Sequence, residues 1–379
     1  MKRKALSMLL CLTVMFTMCF AFGGTAYAAQ ETQTRQALHT YKGNAPSTIT
    51  PTTYASYKKD TESVNWYTTQ KVTGGYKDFT YTIKMPSKGT LFIQFAPVTG
   101  SFYLKSYSAT YAGSQDLGDS EYLYMFYVPS AGNVTITFRA SGYSEEAQGL
   151  FGAFYAAGTK KLSSASSTFY LGSGGYDKTS TFTVKAPSNG YLKIKVIDMT
   201  TDYSSVSLKT KGFKGWDSLN SSNNYYTYVG VKKGTYTFSL KYGKLYKVET
   251  KFTKVKETSA KSTKSKAAKI KKKATNKGII PANKTSKKHW YKINNPKNQK
   301  LKLYVNAKKM SDAGSIGGLK ITVYFPDGSS RSATLYAGES DTFTITYGKI
   351  GTTKARKGTY RIKVQSSDGG NGYYTLKWK

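Results

Sequence analysis

Nucleophilic, acid–base and metal chemistry each require particular side chains, and this chain has few of them. It contains 2 histidines, His39 and His289, and 2 cysteines, Cys11 and Cys19. A serine triad needs a histidine held against its nucleophile, and neither a Gly-x-Ser-x-Gly elbow nor a His-Glu-x-x-His pair occurs. Two carboxylates about 5 to 10 Å apart would suffice to cleave a glycoside. The candidates Asp198 with Asp202 and Glu145 with Glu146 sit in turn-like contexts, and no acid recurs at matching positions of the internal repeat described below. Asp116, Asp119 and Glu121 surround a glycine turn and could in principle hold a hard cation, but their spacing fits no known loop and a solvated hairpin is the simpler reading. The sequence therefore points to a non-enzymatic protein with no metal and no cofactor.

Charge and aromatic surface are the chemistry this chain has in quantity. Lys and Arg number 57 against 20 acids, a formal net charge of +37, and there are 33 Tyr and 18 Phe. The charge is uneven. Residues 29–158 carry 10 basic and 9 acidic residues, 159–250 carry 14 and 5, 251–288 carry 14 and 1, and 289–379 carry 16 and 5.

The start of the chain says where that charge acts. Lys2, Arg3 and Lys4 precede an apolar run from Ala5 to Phe22, and Ala26-Tyr27-Ala28 is a small-x-small cleavage site, the three parts of a secretory signal peptide. Residues 1–28 are expected to be removed after Ala28, leaving no transmembrane segment and no cysteine, hence no disulfide. An exported protein meets little nucleic acid, so none is expected as a partner. The counterparts expected for such charge are anionic cell-wall polymers or polysaccharides. Localisation is expected to be extracellular, with any surface attachment non-covalent.

The elements that position these side chains repeat. The segment around Pro86 (Tyr81-Thr82-Ile83-Lys84-Met85-Pro86, then Gly89-Thr90-Leu91-Phe92-Ile93) recurs around Pro187 and, more loosely, around Pro296, at intervals of 101 and 109 residues. That period is domain-sized, too long for a solenoid. Each copy alternates apolar and polar residues on both sides of a Pro-led turn, the signature of paired strands. A second anchor follows each proline, at Gly132, Gly234 and Gly358. The palette of Tyr, Thr, Val and Gly is strand-forming. The fold class expected is all-β, three tandem jelly-roll-like β-sandwich modules at residues 65–158, 159–253 and 289–379, behind a polar segment at 29–64. Residues 254–288 are nearly all Lys, Ser, Thr, Ala and Asn, a composition expected to stay mobile, and they are read as a linker.

The third module opens with His289-Trp290-Tyr291-Lys292-Ile293, continues through Lys357-Gly358-Thr359-Tyr360-Arg361-Ile362 and closes with Gly372-Tyr373-Tyr374-Thr375-Leu376-Lys377-Trp378. In these features it resembles the bacterial pre-peptidase C-terminal domain over about 90 residues, and the first two modules join it through their shared repeat. That resemblance implies a non-catalytic sandwich associated with secretion, substrate binding or adhesion. Calcium, bound by some relatives through acids near the module start, is not implied, because Lys287, Lys288 and His289 occupy that region.

Two groups of residues are the binding candidates. Lys269, Lys271, Lys272, Lys273 and Lys277 in the lysine-rich stretch are read as a polyanion tether, with a soluble spacer as the alternative. Tyr122 and Tyr124, with Tyr225, Tyr226 and Tyr228, place rings at both odd and even strand positions, so some face outward, as sugar-stacking platforms or as cross-strand pairs. The function expected is an exported binder of the cell envelope or of extracellular anionic glycans. The alternatives are an enzyme of unrecognised site and a structural surface or matrix component.

Overall fold

The computed structural model describes residues 41–54, 65–118, 121–143, 146–173, 177–200, 205–212, 216–258, 260–311, 317–346 and 354–379. The expected cleavage site at Ala28, His39, Asp119, Glu145 and Asp202 lie outside the described residues.

The protein is all-β. Module one comprises β1 (Tyr41–Asn44), β2 (Thr48–Ile49), β3 (Thr52–Thr53), β4 (Trp66–Thr68), β5 (Tyr76–Met85), β6 (Gly89–Thr99), β7 (Ser101–Tyr107), β8 (Thr110–Gly118), β9 (Glu121–Val128), β10 (Gly132–Ser141) and β11 (Gln148–Ala157). Module two comprises β12 (Thr159–Lys161), β13 (Ser167–Gly172), β14 (Ser180–Ala186), β15 (Gly190–Asp198), β16 (Val206–Thr210), β17 (Asp217–Leu219), β18 (Tyr226–Val231), β19 (Gly234–Lys241) and β20 (Leu245–Lys254). Module three comprises β21 (Ala268–Lys269), β22 (Asn276–Ile280), β23 (Lys288–Asn295), β24 (Leu301–Ser311), β25 (Gly318–Tyr324), β26 (Ser330–Tyr336), β27 (Ser340–Ile345), β28 (Gly358–Ser367) and β29 (Asn371–Trp378).

One strand order occurs three times. The first sheet of each module runs β2-β5-β10-β7, β12-β14-β19-β16 and β21-β23-β28-β25, and the second runs β4-β11-β6-β9, β13-β20-β15-β18 and β22-β29-β24-β27. The two sheets of a module face each other as a jelly-roll-like sandwich. The apolar alternation seen in sequence fills the space between them, with Leu192, Ile194 and Val196 from β15 meeting Phe182, Val184, Tyr236 and Phe238 in module two.

This topology corrects the linker. Residues 254–288 are not a mobile spacer: they supply β21, parallel to β23, and β22, antiparallel to β29 over Asn276↔Leu376 to Ile280↔Gly372. They are the counterpart of β12 and β13 in module two. Ile270 N donates to Lys292 O at 3.0 Å as Leu162 N donates to Thr183 O at 2.9 Å. Average composition hid this, because a sandwich edge needs only a few apolar side chains at the right ladder positions. Ile270, Ile279 and Ile280 are buried, while the lysines around them point to solvent. The polar segment before module one is corrected for the same reason over its described part, where β2 pairs with β5 and Ile49 joins the core.

His289, the histidine within the described residues, is only 2% exposed. Its Nδ1 lies 2.6 Å from the Tyr374 hydroxyl, which in turn lies 3.0 Å from that of Tyr291. Burial, reinforced by the ammonium groups of Lys287 and Lys232, pushes its pKa down to about 3. The imidazole is thus neutral in the folded state, whereas an unfolded histidine titrates near 6.5. Stability from this residue is fully present above about pH 6.5 and is lost progressively as pH falls toward 3, by up to about 1.4 kcal/mol per pH unit. A denaturant series between pH 7 and pH 4 checks this: the fall should be shallower in His289→Gln.

Candidate functional site

The site is built on the second sheet of module two, β13-β20-β15-β18. Strand alternation sends Leu192, Ile194, Val196, Tyr246, Val248, Val229 and Val231 into the core, so the residues between them face outward. The pairings align these outward residues in rows. Thr168, Glu249, Lys195 and Tyr226 lie abreast, as do Lys251, Lys193 and Tyr228, and Lys247 lies beside Tyr170. Four lysines share this face with one acid, Glu249, whose Oε1 lies 3.1 Å from Lys247 Nζ.

Both neighbouring modules dock on this same face, at opposite corners. Leu245 packs with Trp66, Phe92, Met125, Leu150, Phe154 and Ala156 of module one, and the Thr90 hydroxyl donates to Lys244 O at 3.1 Å. At the other corner Gly230 N donates to Asn371 Oδ1 of module three at 3.0 Å, and beside this face, on β17 of the other sheet, the buried Asp217 carboxylate accepts from Ser311 Oγ at 2.6 Å. The Tyr191 ring stacks on that of Tyr373 with centroids 5.6 Å apart. Glu257, the one acid of the lysine-rich stretch, accepts from Asn189 Nδ2 at 3.2 Å and Ile279 N at 3.0 Å and pairs with Lys232, joining module two to β22. The two docked modules are walls, and the rows through Lys193 and Lys195 are the floor between them.

Each end of the floor opens into a cleft. At the β18 edge, a cleft of about 600 Å³ is lined by Asn223, Asn224, Tyr226, Tyr228, Lys308 and Lys309 among others. At the β13 edge, a cleft of about 710 Å³ includes Tyr54, Tyr155, Lys160, Lys161, Thr168 and Tyr170. Among the described residues neither lining contains an acid. The loop entering β18 is held by a capping box on Asn220 and by two successive left-handed residues, Asn224 (φ 51°) and Tyr225 (φ 59°). That reversal brings Tyr225 O to accept from Val196 N at 2.9 Å and sets the register that turns Tyr226 and Tyr228 outward.

The rings and ammonium groups form one connected array. Lys193 Nζ lies 3.8 Å from the centroid of Tyr226, and Tyr226 meets Tyr228 edge to face at 5.4 Å. Tyr228 meets Tyr191 in the same way at 5.7 Å. Lys309 Nζ donates to the Tyr191 hydroxyl at 2.9 Å. This bond raises the Lys309 pKa. On Tyr191 burial acts upward, but the Lys309 and Thr253 hydrogen bonds and the charges of Lys309 and Lys251 outweigh it, and the phenol is lowered. Such a surface offers positive charge and ring faces to a flexible anion.

The residues singled out in the sequence divide accordingly. Tyr226 and Tyr228 are in the site, and Tyr225 holds the loop beside them. Tyr122 and Tyr124 are a correction: Tyr124 packs inward against Phe138 at 5.9 Å, Tyr122 stacks on it, and burial, with Tyr122 and Tyr111 alongside, pushes the Tyr124 phenol up to about 12. Both rings are half-buried and pack on the inward side of β9, Tyr124 against the module-one core and Tyr122 on Tyr124, rather than forming an outward pair. Lys269, Lys271, Lys272, Lys273 and Lys277 are exposed, as a tether requires, but they ride on the folded edge of module three and line neither cleft. Among the acids, Asp198 is committed to Thr200 N and Oγ1 at 3.1 and 2.8 Å. Asp116 caps Gly118 N at 2.9 Å, and Glu121 turns inward to Gln94. The floor lysines Lys193, Lys195, Lys247 and Lys251 are not among the residues expected from the sequence, although Leu192-Lys193-Ile194-Lys195-Val196 spells out a strand with one cationic face.

No protein-family model matches the chain, and no curated protein matches it. Solved structures show distant likeness. The CUB1-EGF-CUB2 domain of human MASP-1/3 aligns at 9% identity over 56% of this chain and 99% of its own, with a TM-score of 0.19. The secreted serine protease VesC from Vibrio cholerae aligns at 9% identity over 53% of each chain, with a TM-score of 0.18. The triple jelly roll of an archaeal virus turret aligns at 10% identity over 89% of this chain and 96% of its own, with a TM-score of 0.17. Scores this low carry no functional inference. No helix among the described residues is long and apolar enough to cross a membrane.

Proposed function

We propose that this is an exported, non-catalytic protein that holds an anionic polysaccharide, of the cell envelope or the extracellular matrix, on the outer sheet face of module two. The observation that carries the reading is the joint presence, on one walled face, of Lys193, Lys195, Lys247 and Lys251 with the outward rings of Tyr226 and Tyr228. The signal-peptide pattern supplies the compartment, and the excess of 57 basic over 20 acidic residues supplies attraction at a distance. Lysines neutralise the polymer's carboxylates or phosphates while the rings take the apolar faces of its sugars.

Binding of the mature chain to polygalacturonate across a salt series tests this. Lys193→Gln/Lys195→Gln/Lys251→Gln is expected to weaken binding at low salt about tenfold, at about 0.5 kcal/mol per exposed charge. By analogy with single-stranded polyanions, the log–log salt slope should flatten by about 2, on the order of 0.7 per lysine. The melting temperature should stay unchanged, because all three side chains point away from the core. Equal binding by variant and parent across the series would remove the floor from consideration.

A further inference from the structure

We infer that the floor and its two clefts form one extended groove that engages a single anionic chain at mid-length, with the Lys160–Lys161 cleft at the seam of modules one and two as its far subsite. This rests on the proposed function of the floor.

Module three covers the row of Tyr191 and Gly230, and module one covers the Leu245 and Gly172 corner. The rows left between them, Thr168–Glu249–Lys195–Tyr226 and Lys251–Lys193–Tyr228, run across the strands from β13 to β18. The smaller cleft begins at Tyr226 and Tyr228, and the larger one at Thr168 and Tyr170. Each end of the same rows therefore leads into a cleft. Strands lie about 4.8 Å apart, so four of them make a floor about 14 Å wide, which is close to three sugar units of about 5 Å each. Clefts of about 600 and 710 Å³ each accept at least one further unit.

Charge continues along the whole path. Lys308 and Lys309 stand in one cleft, Lys193 and Lys195 on the floor, and Lys160 and Lys161 in the other, the last two on the exposed strand β12. Among the described residues nothing closes either end of the groove, and none is placed there to recognise a chain terminus. A ligand with regularly spaced acidic groups, such as a uronate polymer, meets a lysine at each stage of the path, whereas a short acidic sugar meets only one or two.

Oligogalacturonides of two to ten units, titrated at fixed low salt, test the inference. Affinity is expected to climb with length to about five or six units and then level off. Lys160→Gln/Lys161→Gln is expected to weaken the hexamer and longer chains about three- to tenfold while leaving the dimer and trimer unchanged. A plateau already at the trimer overturns the extended groove but leaves the floor as a site. So does a double variant that weakens every length equally, which is general electrostatics, or one that weakens none. Failure of the parent protein to bind any length, or polygalacturonate itself, overturns the proposed function and this inference with it.

Discussion

Replacing Ile280 with alanine is expected to lower the stability of module three by about 2 to 5 kcal/mol, the usual result of deleting a large aliphatic side chain from a packed core. Ile280 is fully buried, pairs with Gly372 on β29, and shares a core with Tyr291, Val305 and Leu376. Ile270→Ala should act in the same range, since Ile270 is 2% exposed in that core and its carbonyl accepts from Trp378 Nε1 at 3.2 Å. The contrasting variant is the simultaneous change of Lys269, Lys271, Lys272, Lys273 and Lys277 to Gln. All five are exposed, and exposed charges contribute little singly, so its denaturant midpoint should hardly move. If residues 254–288 were a spacer, all of these variants would melt like the parent. An unchanged midpoint in Ile280→Ala would therefore refute the placement of β22.

These contrasts show what could be read from the sequence. The repeat around Pro86, Pro187 and Pro296 was legible because it carries dense alternation, and it led to three sandwiches of one topology. The opening strand pair of each module was not legible. β12 and β21 are three and two residues long, and a two-residue strand has no periodicity to detect. The same limit applies to the site. A strand pattern predicts that one ring in a run such as Tyr225-Tyr226-Thr227-Tyr228 faces out, but not what lies opposite it. In module one the outcome for Tyr122 and Tyr124 was the reverse, because the even positions of β9 face the other sheet, as Phe126 and Val128 show. The walls of the groove come from how modules dock, and docking depends on contacts distant in sequence, such as Ser311 with Asp217, 94 residues apart, or Gly230 with Asn371, 141 residues apart. No local pattern encodes these.

Gly230→Val is expected to separate module three from module two and to abolish the β18-edge cleft without unfolding either module. A Cβ at position 230 would lie 2.1 Å from Ile280 O and 2.7 Å from Gly372 N. Both are backbone atoms of paired strands, which cannot swing aside as a flexible side chain would. The residue's inward-facing neighbours Val229 and Val231 keep their core contacts, so the clash acts on the seam alone. Opening the seam also breaks the Gly230–Asn371 and Ser311–Asp217 hydrogen bonds, the Tyr191–Tyr373 stack and the Lys309–Tyr191 bond. Small-angle scattering should then report a longer, looser particle, and the melt should divide into separate transitions. Lys308 and Lys309 would leave the rings of Tyr226 and Tyr228, so binding to polygalacturonate should fall at least as far as in the triple floor variant, although no charge has been removed. That last point separates geometry from charge. A Gly230→Val protein that scatters as an open particle yet binds like the parent would show that lysine content alone holds the polymer, wherever the modules stand. One that keeps the parent's scattering would show that the seam tolerates a side chain where the backbone leaves it no room.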